Sequence, residues 1–219
     1  IGGAEEPLTP MHFLEFSALG ALSGLAGVER APEEYSRPFD ANRDGMVLGE
    51  GGGMIVIERE SIARKRGARI HGFITGMGAI TAAGAGVEAL WEAAREGRSG
   101  VSELRFPRYP RQRVSRSAHI SGFDPAAHLS EQELKTTDRF AQLALVAAEE
   151  AMRHAGLDTQ APLGARCGAI IGSGIGGAWT SDDGHYNFYM HDARPDLLAI
   201  AKVMPNAAAS QVSMRYGAR

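Results

Sequence analysis

Short apolar stretches alternate with amphipathic stretches along this sequence, and this alternation constrains the fold more than any other feature. Residues 54–57, 73–76 and 167–171 are apolar runs of strand length. The segments around them place apolar residues three or four positions apart, which is the spacing of one helix face. Strands that alternate with helices in this way are typical of layered α/β domains. The sequence therefore predicts an α/β fold.

The best-defined helix is predicted over residues 139–155. Thr137 or Asp138 precedes it as a capping residue, and Gly156 follows its end. One face of this helix is apolar, which indicates that it packs against the rest of the core. The apolar residues of this face are Phe140, Leu143, Ala144, Ala147, Ala151 and Met152.

Start and stop residues predict four further helices. Thr9 and Pro10 mark the start of a helix over 11–22, which is expected to end at Gly24. A short charged helix is predicted over 60–66. The other two are 87–96, with Leu90, Trp91 and Ala94 on its apolar face, and 206–215.

Glycine is frequent, with 28 residues in a chain of 219, whereas glycine is typically about 7% of a protein. The glycines are clustered, which indicates tight turns or close approaches between backbone segments. Gly172, Gly174 and Gly177 have the spacing of a dinucleotide-binding loop after an apolar run. Because residues 178–184 are a poor start for the helix that such a loop needs, a packing role is favoured, with dinucleotide binding as the alternative.

Composition argues against several classes of function. A net charge of −3 gives no reason to expect nucleic acid binding, and no apolar run reaches the about 18 residues of a membrane span. Cys167 is the only cysteine, so an internal disulfide is excluded and a reducing, cytoplasmic location is expected. Its position before an apolar run is more typical of a small buried side chain than of a nucleophile. The seven histidines lack the spacing of a metal site, and no metal or other cofactor is predicted.

Two charged segments stand out. Five arginines lie between residues 105 and 116, and they indicate either a solvated loop or a surface that binds an acidic partner. The string 39–51 combines a glycine turn with four charged residues, which are Asp40, Arg43, Asp44 and Glu50. It has only part of the pattern of a cation-binding loop, so a partly buried arginine–carboxylate clamp is predicted instead.

Several short strings carry a family resemblance. In the second part of the chain they are residues 73–84, 97–100, 138–140, 170–177 and 205–217, and in the first part they are 2–5, 37–40 and 43–51. Together they resemble the β-ketoacyl-acyl-carrier-protein synthases, the elongating condensing enzymes of fatty acid and polyketide synthesis. The resemblance covers nearly the whole chain. It implies a partial thiolase-like layered fold, with a mixed sheet and helices on both of its faces.

The order of these strings differs from the order in the family. There, the equivalent of residues 73–219 comes first, then a segment with the nucleophile, and then the equivalent of residues 1–72. The resemblance therefore implies a permuted N-terminal half with its junction near residues 70–73. Both ends of the chain would border the missing nucleophile-bearing strand, and the two segments are expected to form one incomplete thiolase-like domain.

The resemblance also implies a reaction, the decarboxylative condensation of an acyl thioester with a malonyl thioester on a carrier protein. This chemistry needs a thiolate at a helix N-terminus and donors that stabilise oxyanions, which the family supplies from a cysteine and two histidines. Cys167 does not match that cysteine, and the histidine motifs are absent from the sequence. No catalytic residue is assigned, and we expect no condensing activity from the chain alone. The alternatives are a non-catalytic partner, similar to a chain-length factor or a carrier-binding protein, and a gene fragment with no function of its own.

Four residues are assigned to binding by the resemblance alone. Ile175 and Ile200 match positions that line the acyl-chain pocket in the family, although Ala199 stands where an aromatic residue is usual. Lys135 and Arg139 match part of the basic surface on which the acyl carrier protein docks. The resemblance further implies a homodimer or a complex with a synthase partner.

Overall fold

The computed structural model of the protein describes residues 2–5, 8–25, 27, 29–37, 42–57, 60–67, 74–165 and 167–218. Its helices are Pro10–Ala18 (α1), Glu60–Lys65 (α2), Val87–Glu96 (α3), Glu131–Thr136 (α4), Arg139–His154 (α5), Ala178–His191 (α6), Ala199–Val203 (α7) and Ala207–Tyr216 (α8). Its strands are Gly2–Glu5 (β1), Gly51–Ile57 (β2), Ile74–Thr81 (β3), Gly84–Ala85 (β4), Ser102–Glu103 (β5), Arg116–Ser117 (β6) and Ile171–Gly172 (β7). The predicted α/β class is confirmed. Asp40 and the whole of the predicted junction at 70–73 lie outside the described residues.

A five-stranded sheet in the order β4–β3–β2–β1–β7 forms the centre of the fold. β1 is parallel to β7 and antiparallel to β2, and β2 is antiparallel to β3, so the sheet is mixed as expected. β1 and β2 come first in the chain, yet they lie between β3 and β7, which come later. Strands from both segments of the chain therefore share one sheet.

The helix α5 packs along this sheet and agrees closely with its prediction. Asp138 caps it, since its carboxylate accepts a hydrogen bond from the backbone N–H of Phe140, and Gly156 follows it in a left-handed conformation with φ +65°. The six residues of the predicted apolar face are all buried. Val212 and Tyr216 of α8 belong to one core cluster with four of these six residues, so α5 lies between the sheet and α8.

Three glycines of the sheet let α5 approach its backbone. A Cβ on Gly78 would overlap the carbonyl oxygen of Ala147, and a Cβ on Gly76 would overlap that of Ala151. A Cβ on Gly52 would lie 2.9 Å from another carbonyl oxygen of the helix. Any larger residue at these positions would push the helix away from the sheet, because protein interiors are already close-packed. The close backbone approach that the clustered glycines indicate is confirmed here.

The helix α1 is shorter than predicted. It starts at Pro10 behind the cap Thr9, as expected, but it ends at Ala18 and not near Leu22. Gly20 follows the helix end in a left-handed conformation with φ +68°, which is the usual geometry of a glycine that terminates a helix. The helix therefore ends before Gly24, the stop that the sequence predicted.

The predicted apolar face of α3 is wrong, although the bounds of the helix are correct. Trp91 is 63% exposed and Leu90 is 37% exposed, whereas Ala93 is the buried residue of this helix. The helix lies beside β3 and β4 at the edge of the sheet, where a small residue makes the contact. A Cβ on Gly84 of β4 would lie 2.8 Å from Ala89, which leaves no room for large side chains between strand and helix.

Two predictions around residues 167–184 are also wrong. The strand predicted over 167–171 is reduced to β7, because only Ile171 and Gly172 pair with β1. Cys167 is half-buried and lies outside this strand. Residues 178–184 were predicted to be a poor start for a helix, but α6 begins at Ala178. Arg108 pairs with Asp183 in the second turn of this helix. Within the described part of the chain, no helix is long and apolar enough to cross a membrane.

Candidate functional site

A cleft of about 520 Å³ lies where β1 ends and β2 begins. Leu8, which follows β1, and Glu50, which precedes β2, line it together with the first residues of two helices. Asp138 and Arg139 come from the start of α5, and Trp179 comes from the start of α6. Ligand sites of α/β sheets lie outside the carboxyl ends of the strands. The cleft has this position relative to β1.

A buried clamp around Glu50 forms one wall of the cleft. Its two carboxylate oxygens accept hydrogen bonds from Nε and Nη2 of Arg139, both at 2.9 Å. The backbone N–H of Ile120 donates to the same carboxylate, and the carbonyl oxygen of Ile120 accepts from Arg139 at 3.2 Å. The Glu50 side chain is only 3% exposed. The clamp thus ties the start of β2 to the start of α5 and to the segment at residue 120.

The clamp differs from the predicted network in its partners. The sequence predicted that the charged residues of 39–51 pair with each other, but Glu50 pairs with Arg139, which lies 89 residues away. Asp44 pairs with Arg30, which precedes the string 39–51 in the sequence. An arginine–carboxylate clamp is present, as predicted, and its arginine comes from the second segment of the chain.

Asp138 connects the starts of α5 and α6 at the second wall. One carboxylate oxygen accepts from the N–H of Phe140 at 3.1 Å, and the other accepts from the N–H of Thr180 at 2.7 Å. Burial raises the pKa of this carboxyl group, although both N–H donors favour its charged form. The neighbouring indole N–H of Trp179 is buried and has no hydrogen-bond partner in the described part of the chain. The sequence around Trp179 gave no signal that this residue lines a cleft.

The remaining groups of the cleft can bind polar atoms, but they include no thiol. His119 lies 3.2 Å from Ser102 Oγ and 3.3 Å from Ser117 Oγ through its Nδ1. Cys167 is not among the residues that line the cleft. Among the described residues, no three histidine, cysteine or acidic side chains come together as metal ligands. The residues that line the cleft can therefore form hydrogen bonds, and they include the Glu50–Arg139 ion pair. They do not include a cysteine thiol, which is the nucleophile that condensation needs.

The two residues assigned to the acyl pocket lie in segments that the structure brings together. The backbone N–H of Gly177 donates to the carbonyl oxygen of Val203 at 3.1 Å, so the loop of Ile175 contacts the end of α7. A Cβ on Gly176 would overlap the same carbonyl oxygen, which gives the glycine loop a packing role. Ile200 is 73% exposed and lines an apolar groove between α6 and α7. Ile175 is half-buried and is not part of that groove.

The two residues assigned to carrier docking have different surroundings. Lys135 is exposed on α4, and its ammonium group pairs with Glu131 at 2.6 Å. Arg139 is only 25% exposed, and its guanidinium group is engaged by Glu50. A carrier could reach Lys135 without rearrangement, whereas a full contact with Arg139 would compete with the clamp. The docking assignment stays a prediction for both residues.

A second ion pair, between Asp44 and Arg30, holds the turn at residues 23–24. Asp44 accepts a hydrogen bond from Ser23 Oγ at 2.6 Å and pairs with Arg30 at 2.8 Å. These two contacts, with a weaker one from the N–H of Gly24, lower the pKa of Asp44 to about 2. The charged carboxylate therefore stabilises the folded protein at neutral pH.

We expect Asp44→Asn to destabilise the protein at pH 7 by about 1 kcal/mol, because the pair is partly exposed and solvent screens it. A depressed folded-state pKa contributes stability above the unfolded value of about 4, and this contribution is lost as the pH falls towards about 2. The difference between variant and wild type should thus shrink over that interval. Urea unfolding at about pH 7, 4 and 3 measures it, and a constant difference would contradict the assignment.

Comparison with known proteins places these features in a family. The family model described as β-ketoacyl synthase, N-terminal domain, matches residues 1–63 and 73–219. Nodulation protein E of Rhizobium meliloti is 35% identical over 148 residues, which are 67% of this chain and 36% of that protein. The 3-oxoacyl-[acyl-carrier-protein] synthase 2 of Staphylococcus aureus is 34% identical over 149 residues, with the same two shares. The chain thus spans about a third of the length of these curated relatives.

Solved structures agree at the level of the fold. The ishigamide ketosynthase/chain length factor aligns with a TM-score of 0.57 at 20% identity, over 65% of this chain and 36% of the other. A β-ketoacyl synthase from Burkholderia phymatum aligns with a TM-score of 0.50 at 20% identity, over 66% of this chain and 37% of the other. The fold is therefore α/β and partly thiolase-like, as the resemblance implies.

Proposed function

The chain belongs to the β-ketoacyl synthase family, and on this basis we propose that it forms part of the sheet domain of a condensing enzyme that joins acyl and malonyl thioesters. The reaction belongs to fatty acid or polyketide synthesis, and the substrates arrive on an acyl carrier protein. The family match over nearly the whole chain is the observation that carries this proposal. The cytoplasm is the proposed location.

The composition of the cleft supports a role in building the enzyme rather than in the chemical step. Condensation needs a thiolate that accepts the acyl chain and donors that stabilise the oxyanions formed next. The cleft presents the Glu50–Arg139 clamp, the capping Asp138 and His119, and Cys167 lies elsewhere. The described residues therefore form one wall of the cleft and the N-terminal ends of the two helices that border it. If the cleft takes part in condensation, the nucleophile has to come from another segment or another chain.

The sheet supports the proposal that residues 1–72 and 73–219 form one incomplete domain in permuted order. β1 and β2 of the first segment lie between β3 and β7 of the second segment, with ladder hydrogen bonds on both sides. The Glu50–Arg139 clamp also joins the two segments. Two independent domains would not share a sheet or bury an ion pair between them in this way.

For binding, we propose Ile175 and Ile200 for the acyl chain and Lys135 with Arg139 for the carrier protein. The contact between Gly177 and Val203 supports the first pair, because it places their two segments side by side. The exposure of Lys135 supports carrier binding by this residue. It gives no such support to Arg139, whose guanidinium group is bound by Glu50. Ile200 would become buried if a second copy or a synthase partner covered the groove between α6 and α7.

A non-catalytic role is the second candidate. The absence of a cysteine among the described residues of the cleft favours it, and a protein of this kind would act by binding a ketosynthase or a carrier. A measurable complex with either, in a chain that shows no acyl transfer, would select this role over the first. A chain that binds neither would agree with a gene fragment.

We expect the purified chain to show no condensing activity with an acylated carrier and a malonyl carrier. The physical reason is that Cys167 is half-buried outside the cleft and is not placed at a helix N-terminus. Radiolabelled acyl transfer and product formation measure the result, and Cys167→Ser is the matched variant. Acyl transfer that occurs in the wild type and is lost in Cys167→Ser would overturn the prediction.

A further inference from the structure

The helix α6 borders the cleft, but it is packed only weakly against the rest of the protein. Its first two turns place Trp179, Thr180 and Asp183 in the lining of the cleft. Ala178 and Asp182 are its two buried residues, and α7 is the helix or strand that it contacts most in the described part of the chain. An element with so few buried apolar contacts belongs to the less stable part of a fold. The helix α6 can therefore move without disrupting the core around α5 and the sheet.

One arginine of the 105–116 segment holds α6 in its position. Nη2 of Arg108 lies 2.6 Å from Oδ1 of Asp183 and 3.5 Å from Oδ2 of Asp182. The guanidinium group also lies 4.6 Å from the ring centre of Tyr186 on the same helix. The Arg108 side chain is 24% exposed and that of Asp182 is 5% exposed, so solvent screens these contacts only in part. The main attachment of α6 to the 105–116 segment is thus electrostatic.

The same position of α6 leaves one polar group without a partner. The indole N–H of Trp179 is buried and accepts no substitute for water among the described residues, while the indole ring makes an edge contact with Phe106 at 6.1 Å between centroids. Burying an N–H in this way is unfavourable, because the group gives up a hydrogen bond to water. The contacts of Arg108 favour the observed position of the helix, and the unpaired N–H opposes it. Opposing contributions of this kind allow two positions of the helix to be populated.

We propose that α6 is a lid of the cleft, which Arg108 holds closed and which opens when the Arg108–Asp183 pair is weakened. In the closed position the lid shields one side of the cleft from water, which is what lids do at binding sites. Salt weakens the ion pair, so the open population should rise with ionic strength. The inference goes beyond the proposed function, because it concerns access to the cleft and holds whatever the cleft binds.

The fluorescence of Trp179 tests the proposal on the full chain. The chain has two tryptophans, and Trp91→Phe removes the other one, which is 63% exposed on α3. In this background, Arg108→Gln should raise the open population about fivefold, as expected for the loss of a partly exposed ion pair. The measured result is stronger quenching of Trp179 by acrylamide and an emission maximum at longer wavelength. Added salt should have the same effect when Arg108 is present, and a smaller effect in Arg108→Gln.

Three further measurements separate lid opening from other effects. Asp183→Asn should also increase the quenching, because it removes the ion pair from the side of the lid, and a side chain that is 51% exposed tolerates this change. Arg105→Gln is the matched control, since this arginine lies in the same segment but pairs with Glu103. The far-UV circular dichroism should stay unchanged, because α6 moves as an intact helix. Unchanged quenching in Arg108→Gln or in Asp183→Asn, an equal increase in Arg105→Gln, or a loss of helical signal would each overturn the proposal.

Discussion

Gly78→Ala should destabilise the protein by about 3 kcal/mol or more, a large part of the 5 to 15 kcal/mol that is typical of a whole domain. The added Cβ would overlap the carbonyl oxygen of Ala147 and lie 2.8 Å from the N–H nitrogen of Ala151. Both atoms belong to the backbone of α5, so a change of rotamer cannot relieve the overlap. The helix would have to move away from the sheet, and its buried face would lose contact with β2 and β3.

Gly172→Ala is the matched control for this substitution. Gly172 also lies in the sheet, but a Cβ there would meet nothing within 4 Å, and its φ is not in the left-handed region. We therefore expect no loss of stability, or a slight gain because alanine restricts the unfolded chain. Denaturant unfolding of both variants measures the difference. Equal stability of the two would show that α5 does not approach the sheet as closely as the structure indicates.

The strings that carry the family resemblance correspond largely to packing positions. Gly76 and Gly78 belong to the string 73–84, and both serve the approach of α5. Asp138 caps α5, and Arg139 binds Glu50, which itself belongs to the string 43–51. The sequence therefore identifies the family through the residues that build its scaffold. This is why the family can be assigned from this chain while the activity of a whole synthase remains a proposal.

Local signals account for the parts of the fold that the sequence predicted well. The helix α5 combines a cap, a periodic apolar face and a terminal glycine within 20 or so residues, and all three act on the same helix. The helix α1 shows how such signals fail. Gly20 and Gly24 were both possible stops, and only the structure shows that the first ends the helix.

Tertiary contacts account for the parts that the sequence could not predict. The partner of Glu50 lies 89 residues away, and spacing along the chain carries no information about it. The helix α6 has a weak start, but Arg108 holds two of its aspartates, Asp182 and Asp183. The exposure of Trp91 depends on the close contact between β4 and α3, which leaves the large side chain outside. Propensity alone is a weak guide wherever such contacts decide.

Removing either partner of the clamp should destabilise the protein strongly. Arg139→Met leaves the charge of Glu50 in a site where its side chain is 3% exposed, and the loss of one partner from a buried pair typically costs about 3 to 5 kcal/mol. Glu50→Gln should cost somewhat less, because Arg139 is 25% exposed and can reach water. Arg105→Ala should cost below about 1 kcal/mol, because both partners of its ion pair are exposed.

The double variant Glu50→Gln/Arg139→Met separates the ion pair from the other contacts of both residues. With both charges removed, no unpaired charge stays buried, so the double variant should be more stable than the sum of the single losses predicts, by about 1 to 3 kcal/mol. Urea unfolding of the four proteins gives this coupling energy. Additive losses would mean that the two side chains act independently. In that case the ion pair would not join the first segment of the chain to the start of α5. A large coupling would show that the fold of the second segment depends on a carboxylate supplied by the first, as one domain built from both segments requires.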